Sequence, residues 1–110
     1  MSEDKIAKKL MNEPNAKKEE NKVKIATENY YIKYNTVNKH LSLGFTTVRG
    51  HKTMITLTPS YVIIKVPTSD GDYIKFKIRK SINIHKFVTE LMDEIVGIET
   101  ALKNQGIEVE

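Results

Sequence analysis

The spacing of apolar and polar residues changes character along this chain, and the changes mark its parts. From Val23 onward, β-branched and aromatic residues come in short runs separated by turn residues, the texture of strands. Strands are expected near 23–34, 41–49, 52–58, 61–66 and 72–79. Asn35–Lys39 and Arg49-Gly50-His51 supply the first breaks, Thr58-Pro59-Ser60 a tight turn, and Asp70-Gly71 a hairpin signal. Such short connections favour antiparallel neighbours, because a parallel crossover needs about a dozen residues or more. In "DYIKFKIRK" the alternation is regular: Ile74, Phe76 and Ile78 face one way, where Val62, Ile64 and Val66 can join them as a core face. The other face then collects Tyr73, Lys75, Lys77 and Arg79 with Tyr61, Ile63 and Lys65, and with Lys52 and Met54 from the strand before.

After Lys80 the period becomes helical. Phe87, Leu91, Ile95, Ile98 and Leu102 recur at three- and four-residue intervals, as one stripe of an α-helix requires. Ser81 or Asn83 can cap its start, and Gly106 suits a left-handed C-terminal cap. Val88, Met92, Val96 and Ala101 widen the stripe beyond what one small sheet can cover, so the spacing points to self-association through Phe87, Leu91, Ile95, Ile98 and Leu102. The expectation is an α+β domain over residues 23–106: a curved antiparallel sheet of four to five strands followed by one long C-terminal helix that pairs two subunits. Residues 1–22 are rich in Lys, Glu and Asn and interrupted by Pro14, and read as a disordered charged tail.

Charge adds direction to this layout. The net charge is +4, but residues 1–24 carry +2, residues 25–80 carry +6, and residues 81–110 carry −4. A basic middle and an acidic end fit one element that meets an anion and another that faces elsewhere. The length of 110 residues suits one domain, and the absence of cysteine excludes a disulfide framework and a thiolate metal site. No apolar run is long enough to cross a bilayer, so the expectation is an intracellular protein (cytoplasm or nucleoid, or nucleus in a eukaryote) without a membrane partner.

Signatures of catalysis are missing: there is no nucleophile elbow, phosphate loop or dinucleotide-binding glycine motif. His40, His51 and His85 lack the spacing of a metal pair. Glu90, Asp93, Glu94 and Glu99 read as a solvated helical face, and Asp70 and Asp72 as turn residues. No enzyme activity, cofactor or metal is expected. What remains is the basic, aromatic strand face, in which lysines neutralise phosphates and tyrosines stack on bases, as in proteins that hold single-stranded nucleic acid.

The stretch "RKSINIHKFVTELMDEIVGIETALKN" resembles the transcriptional coactivator family called positive cofactor four. In that resemblance Arg79-Lys80-Ser81-Ile82-Asn83-Ile84 matches the last strand and its exit. Phe87, Leu91, Ile95, Ile98, Ala101 and Leu102 match the helix that pairs two subunits, and "MITLTPSYVIIKV" and "SDGDYIKFKI" lie on the central hairpins. The resemblance implies a dimer that binds single-stranded or melted DNA on its sheets, with Lys65, Lys75, Lys77, Arg79 and Lys80 touching phosphate. The chain departs from the family in a shorter strand-to-helix link, in Phe87 where Trp is usual, and in Thr58-Pro59-Ser60 where a stacking aromatic is expected.

Together these readings lead to a non-enzymatic binder of single-stranded DNA or RNA acting in transcription, replication or repair. Its contact residues are expected to be Lys52, Tyr61, Lys65, Tyr73, Lys75, Lys77, Arg79 and Lys80. The alternative is an accessory subunit that docks a larger partner, such as RNA polymerase or other transcription machinery, through its sheet edge or helix.

Overall fold

A computed structural model describes residues 4–109. A short helix, α1 (Lys5–Leu10), leads into seven strands: β1 (Ala16–Glu19), β2 (Lys22–Ala26), β3 (Tyr30–Asn35), β4 (Leu41–Thr46), β5 (Lys52–Leu57), β6 (Tyr61–Pro67) and β7 (Tyr73–Arg79). Two further helices, α2 (Ile84–Met92) and α3 (Ile98–Asn104), follow. The strands form one antiparallel sheet in the order β1 to β7, each beside its neighbours in sequence.

The expected sheet of four to five strands with one long C-terminal helix is therefore corrected to seven strands with two short C-terminal helices. Two local causes account for the extra strands. The apolar run 23–34 is cut at Thr27, whose Oγ1 accepts from the Asn29 and Tyr30 amides at 3.2 Å and folds the chain back. Such a threonine turn competes with continuing the strand. Residues 4–22, expected as part of a disordered tail, hold α1 and β1; residues 1–3 of that segment lie outside the described residues. Asp4 caps α1 by accepting from the Ile6 and Ala7 amides at 3.0 and 3.1 Å, and Leu10 is fully buried.

The helical stripe is split at Asp93–Gly97. The Asp93 and Glu94 amides both bond to the Thr89 carbonyl, the Val96 amide reaches the Glu90 carbonyl, and Ile95 sits at φ 55°. That is a left-handed conformation uncommon for a β-branched residue. A straight helix from Ile84 to Asn104 would be about 30 Å long, and only part of it could lie on the core. Bending at Gly97 returns both apolar pieces to that core: Phe87 and Val88 from α2, Ala101 and Leu102 from α3, all fully buried. The expected dimer stripe is corrected accordingly. Phe87 and Leu102 are interior, Leu91 and Ile98 are half-buried against the same core, and Ile95 is 83% exposed on the bend. Asn83 caps α2 through the Lys86 amide at 2.9 Å, and Gly106, at φ 81°, closes α3.

The inner face of the sheet presents Val23, Ile25, Ile32, Tyr34, Leu41, Leu43, Ile55, Leu57, Val62 and Ile64 to the helices. Tyr34 donates to Asp4 at 2.9 Å, and Lys39 adds an ion pair at 2.7 Å. Burial raises the Asp4 pKa, but the hydrogen bonds from Lys39, the Ala7 amide and Tyr34 outweigh it and hold the carboxyl below its usual value. Burial, then Asp4, pushes the Tyr34 hydroxyl well above the ordinary tyrosine range. Across the molecule Lys9 bonds to Asp93, joining α1 to the end of α2.

One expectation about the core fails at β7. By register Ile74, Phe76 and Ile78 lie opposite Val66, Ile64 and Val62 and so on the inner face, yet they are 49, 51 and 44% exposed. The strand is the last in the sheet, and the cover of helices ends before it.

Candidate polyanion-binding face

The outer face of the sheet follows from the two-residue period and the registers. From β7 it receives Tyr73, Lys75, Lys77 and Arg79; from β6, Tyr61, Ile63 and Lys65; from β5, Lys52 and Met54. Tyr61 lies opposite Arg79, Lys65 opposite Lys75, and Met54 opposite Lys65. All the expected contact residues except Lys80 thus share one surface. Lys80 has the opposite parity and turns toward the helices, where its ammonium lies so close to Gly106 that a Cβ there would be 2.6 Å from it. A cation beside the last turn of α3 suits the partial negative charge of a helix C-terminus.

The face extends further than the sequence reading proposed. The registers add Tyr31 and Lys33 from β3, Lys22 and Lys24 from β2, and Lys17 from β1. Lys17 faces Lys24, and Lys24 faces Lys33. Among the described strand residues Glu19 is the one carboxylate on this surface; it pairs with Lys24 at 3.0 Å, and that hydrogen bond lowers its pKa. The signal for these residues was legible in "KVKIA" and "YYIKYN", where cation and apolar residue alternate as they do in β7.

Tyr31 has a particular support. It lies opposite Gly44, and a Cβ at Gly44 would fall 1.9 Å from the Tyr31 ring. Only a residue without a side chain lets the ring lie down across the neighbouring strand at this point. Two depressions flank it. One, of about 410 Å3, is lined by Tyr31, Gly44, Lys52, Met54, Pro67 and Tyr73 among others. The other, of about 200 Å3, includes Tyr31, Lys33, Met54, Ile63 and Lys65. The Lys33 ammonium stands 5.4 Å from the Tyr31 ring centre. Tyr61 is more occupied: Lys77 covers it at 4.5 Å, and His40 meets it edge-on with centroids 6.0 Å apart. Tyr73 is 54% exposed at the far end of β7, about 20 Å along the strand from the position facing Tyr61.

A second kind of concavity lies on the helix side, about 480 Å3 between Tyr30, Phe45, Val48 and the α2–α3 bend. Among the described residues no cluster of His, Asp or Glu is placed to hold a metal ion, and no helix is long and apolar enough to cross a membrane.

Comparison with known protein families, with curated proteins and with solved structures finds no match. The likeness of the C-terminal half to positive cofactor four thus has no second line of support, and the single long helix it implied is replaced by α2, the bend and α3.

Proposed function

We propose that this chain is a non-enzymatic binder of single-stranded nucleic acid, and that the outer face of its sheet is the contact surface. One observation carries the reading: cations from β1, β2, β3, β5, β6 and β7 gather on one face with a single carboxylate among its described strand residues, including the like-charged pairs Lys17–Lys24, Lys24–Lys33 and Lys65–Lys75. Like charges directly opposite each other destabilise a sheet. A surface that carries several such pairs gains most from a polyanion, which neutralises them all at once and releases its own counterions. The tyrosines favour single strands over duplex, because an unpaired base offers a flat surface for stacking worth about 1–3 kcal/mol. Tyr31, laid over Gly44 between two depressions, is the best-placed platform, ahead of Tyr61, which Lys77 already covers. A role in transcription, replication or repair follows from that class of ligand and from the resemblance noted above.

Fluorescence anisotropy with labelled single-stranded DNA, duplex DNA and single-stranded RNA, each at low and moderate salt, tests this. Binding of a single strand that weakens steeply with salt is the expected result. No binding of any of the three at low salt would remove the proposal.

A further inference from the structure

Among the described residues β7 is bonded on one side only. The Lys80 amide donates to the Ser60 carbonyl and the Thr68 amide to the Asp72 carbonyl, which fixes the alternation along the β6–β7 ladder. Ile74, Phe76 and Ile78 exchange their backbone bonds with β6. The N–H and C=O groups of Tyr73, Lys75, Lys77 and Arg79 point outward from the sheet. The edge is therefore seven residues long, with free backbone groups, half-exposed apolar side chains on its inner side and cations on its outer side. Exposed edges of this kind are templates for another strand.

The charges decide which strand. A second copy pairing edge to edge, in any antiparallel register centred on Lys75, Phe76 or Lys77, sets cation against cation. Those are the contacts that destabilise a sheet, so the lysines guard the edge against self-association. An incoming strand is welcomed only if its residues on the outer side are acidic and those on the inner side are apolar, so that they extend the row of Ile74, Phe76 and Ile78. We infer that the free edge of β7 is a docking site for an extended acidic segment of a partner protein, in which Asp or Glu alternates with apolar residues. The mode is strand addition: backbone bonds supply affinity, and alternate side chains supply selectivity. Because the acids of such a segment meet Lys75, Lys77 and Arg79, the docked peptide and a bound nucleic acid exclude each other on this part of the face. The inference does not depend on nucleic-acid binding and is tested without it.

The probe is a labelled peptide of about eight residues alternating Glu and Val, titrated by anisotropy into the full chain. A control has the same composition with all Glu first and all Val after. The alternating peptide should bind about tenfold more tightly than the control, the equivalent of one or two net backbone hydrogen bonds. It should also slow hydrogen exchange at the Lys75 and Lys77 amides, which point outward. The variant Lys77→Pro, which removes an outward N–H and spares the β6 ladder, should lose about tenfold in affinity relative to Lys77→Val, which removes the same charge but keeps the N–H. Three results would overturn the inference: equal binding of both peptides, unchanged exchange at those amides, or sedimentation showing that the free protein is already a dimer with these amides protected. Should Lys77→Pro fail to fold, the exchange measurement on the unaltered chain decides alone.

Discussion

Consider the replacement of Lys75, Lys77 and Arg79 by Gln. All three side chains are exposed on the outer side of β7, so the change removes charge while leaving the stems and the ladder to β6 in place. Of the cations nearest this end of the sheet, Lys52, Lys65, Lys75, Lys77 and Arg79 form one patch across β5, β6 and β7. If each meets one phosphate of a single strand, log affinity falls with log salt at a slope of about −3.5, from about 0.7 per contact. Between 50 and 200 mM salt that is a loss of roughly 130-fold. The triple variant keeps two of the five, so its slope should be about −1.4 and its loss over the same interval about sevenfold. The assay is anisotropy with a labelled oligonucleotide across a salt series, with thermal unfolding alongside. Relief of the like charge facing Lys65 and loss of the Lys77 contact with the Tyr61 ring oppose each other, so the melting temperature should stay nearly unchanged. An unchanged slope would show that phosphates bind elsewhere. A fall in melting temperature would show that these cations support the fold rather than a ligand.

Further expectations concern other parts of the molecule. Tyr31→Ala should weaken single-strand binding by about 1–3 kcal/mol without altering the salt slope, whereas loss of slope would make the tyrosine an indirect support for Lys33. Gly44→Ala should cost about 1–3 kcal/mol in urea unfolding by driving a methyl into the Tyr31 ring, and Tyr31→Ala in the same chain should recover most of it; additive costs would contradict that contact. Asp4→Asn retains a capping side chain but loses the charge that Lys39 and Tyr34 meet. Since the folded carboxyl has the lower pKa, its stabilisation is present above about pH 4, the unfolded value. It is lost as pH falls through the folded value, so the two melting curves should converge on acidification. Convergence on raising the pH instead would contradict the assignment. Phe87→Ala should cost about 3–5 kcal/mol as a core truncation, and Ile95→Ala, on the exposed bend, within about 0.5 kcal/mol; comparable costs at both would return Phe87 to a surface role.

The sequence was most legible where a single local rule applied. Asp70-Gly71 announced the β6–β7 turn, and Gly71 indeed takes φ 86° there; the alternation in β5, β6 and β7 placed seven of the eight expected contact residues on one face. Lys80 escaped because parity turns it inward once the strand ends. The strand boundaries at Thr27 depended on a side-chain hydrogen bond that any threonine can make and few do. The C-terminal helix was misread for a different reason. An unbroken three- and four-residue period describes α2 and α3 equally well joined or bent, and the choice between them is made by the size of the core that Phe87 and Leu102 must both reach. Likewise, the same alternation that placed Ile74, Phe76 and Ile78 on the inner face could not tell how far the helices extend over it.

The bond between Lys9 and Asp93 spans 84 positions, while every strand of the sheet pairs with the next in sequence. These two facts set an order for folding. Hairpins between sequence neighbours close small loops and can form early and in succession. The seam between α1 and α2 joins the helix before the sheet to the first helix after it, and closing so large a loop is entropically costly until the sheet between them exists. The last event in folding, and the first in unfolding, is then the meeting or parting of α1 and α2.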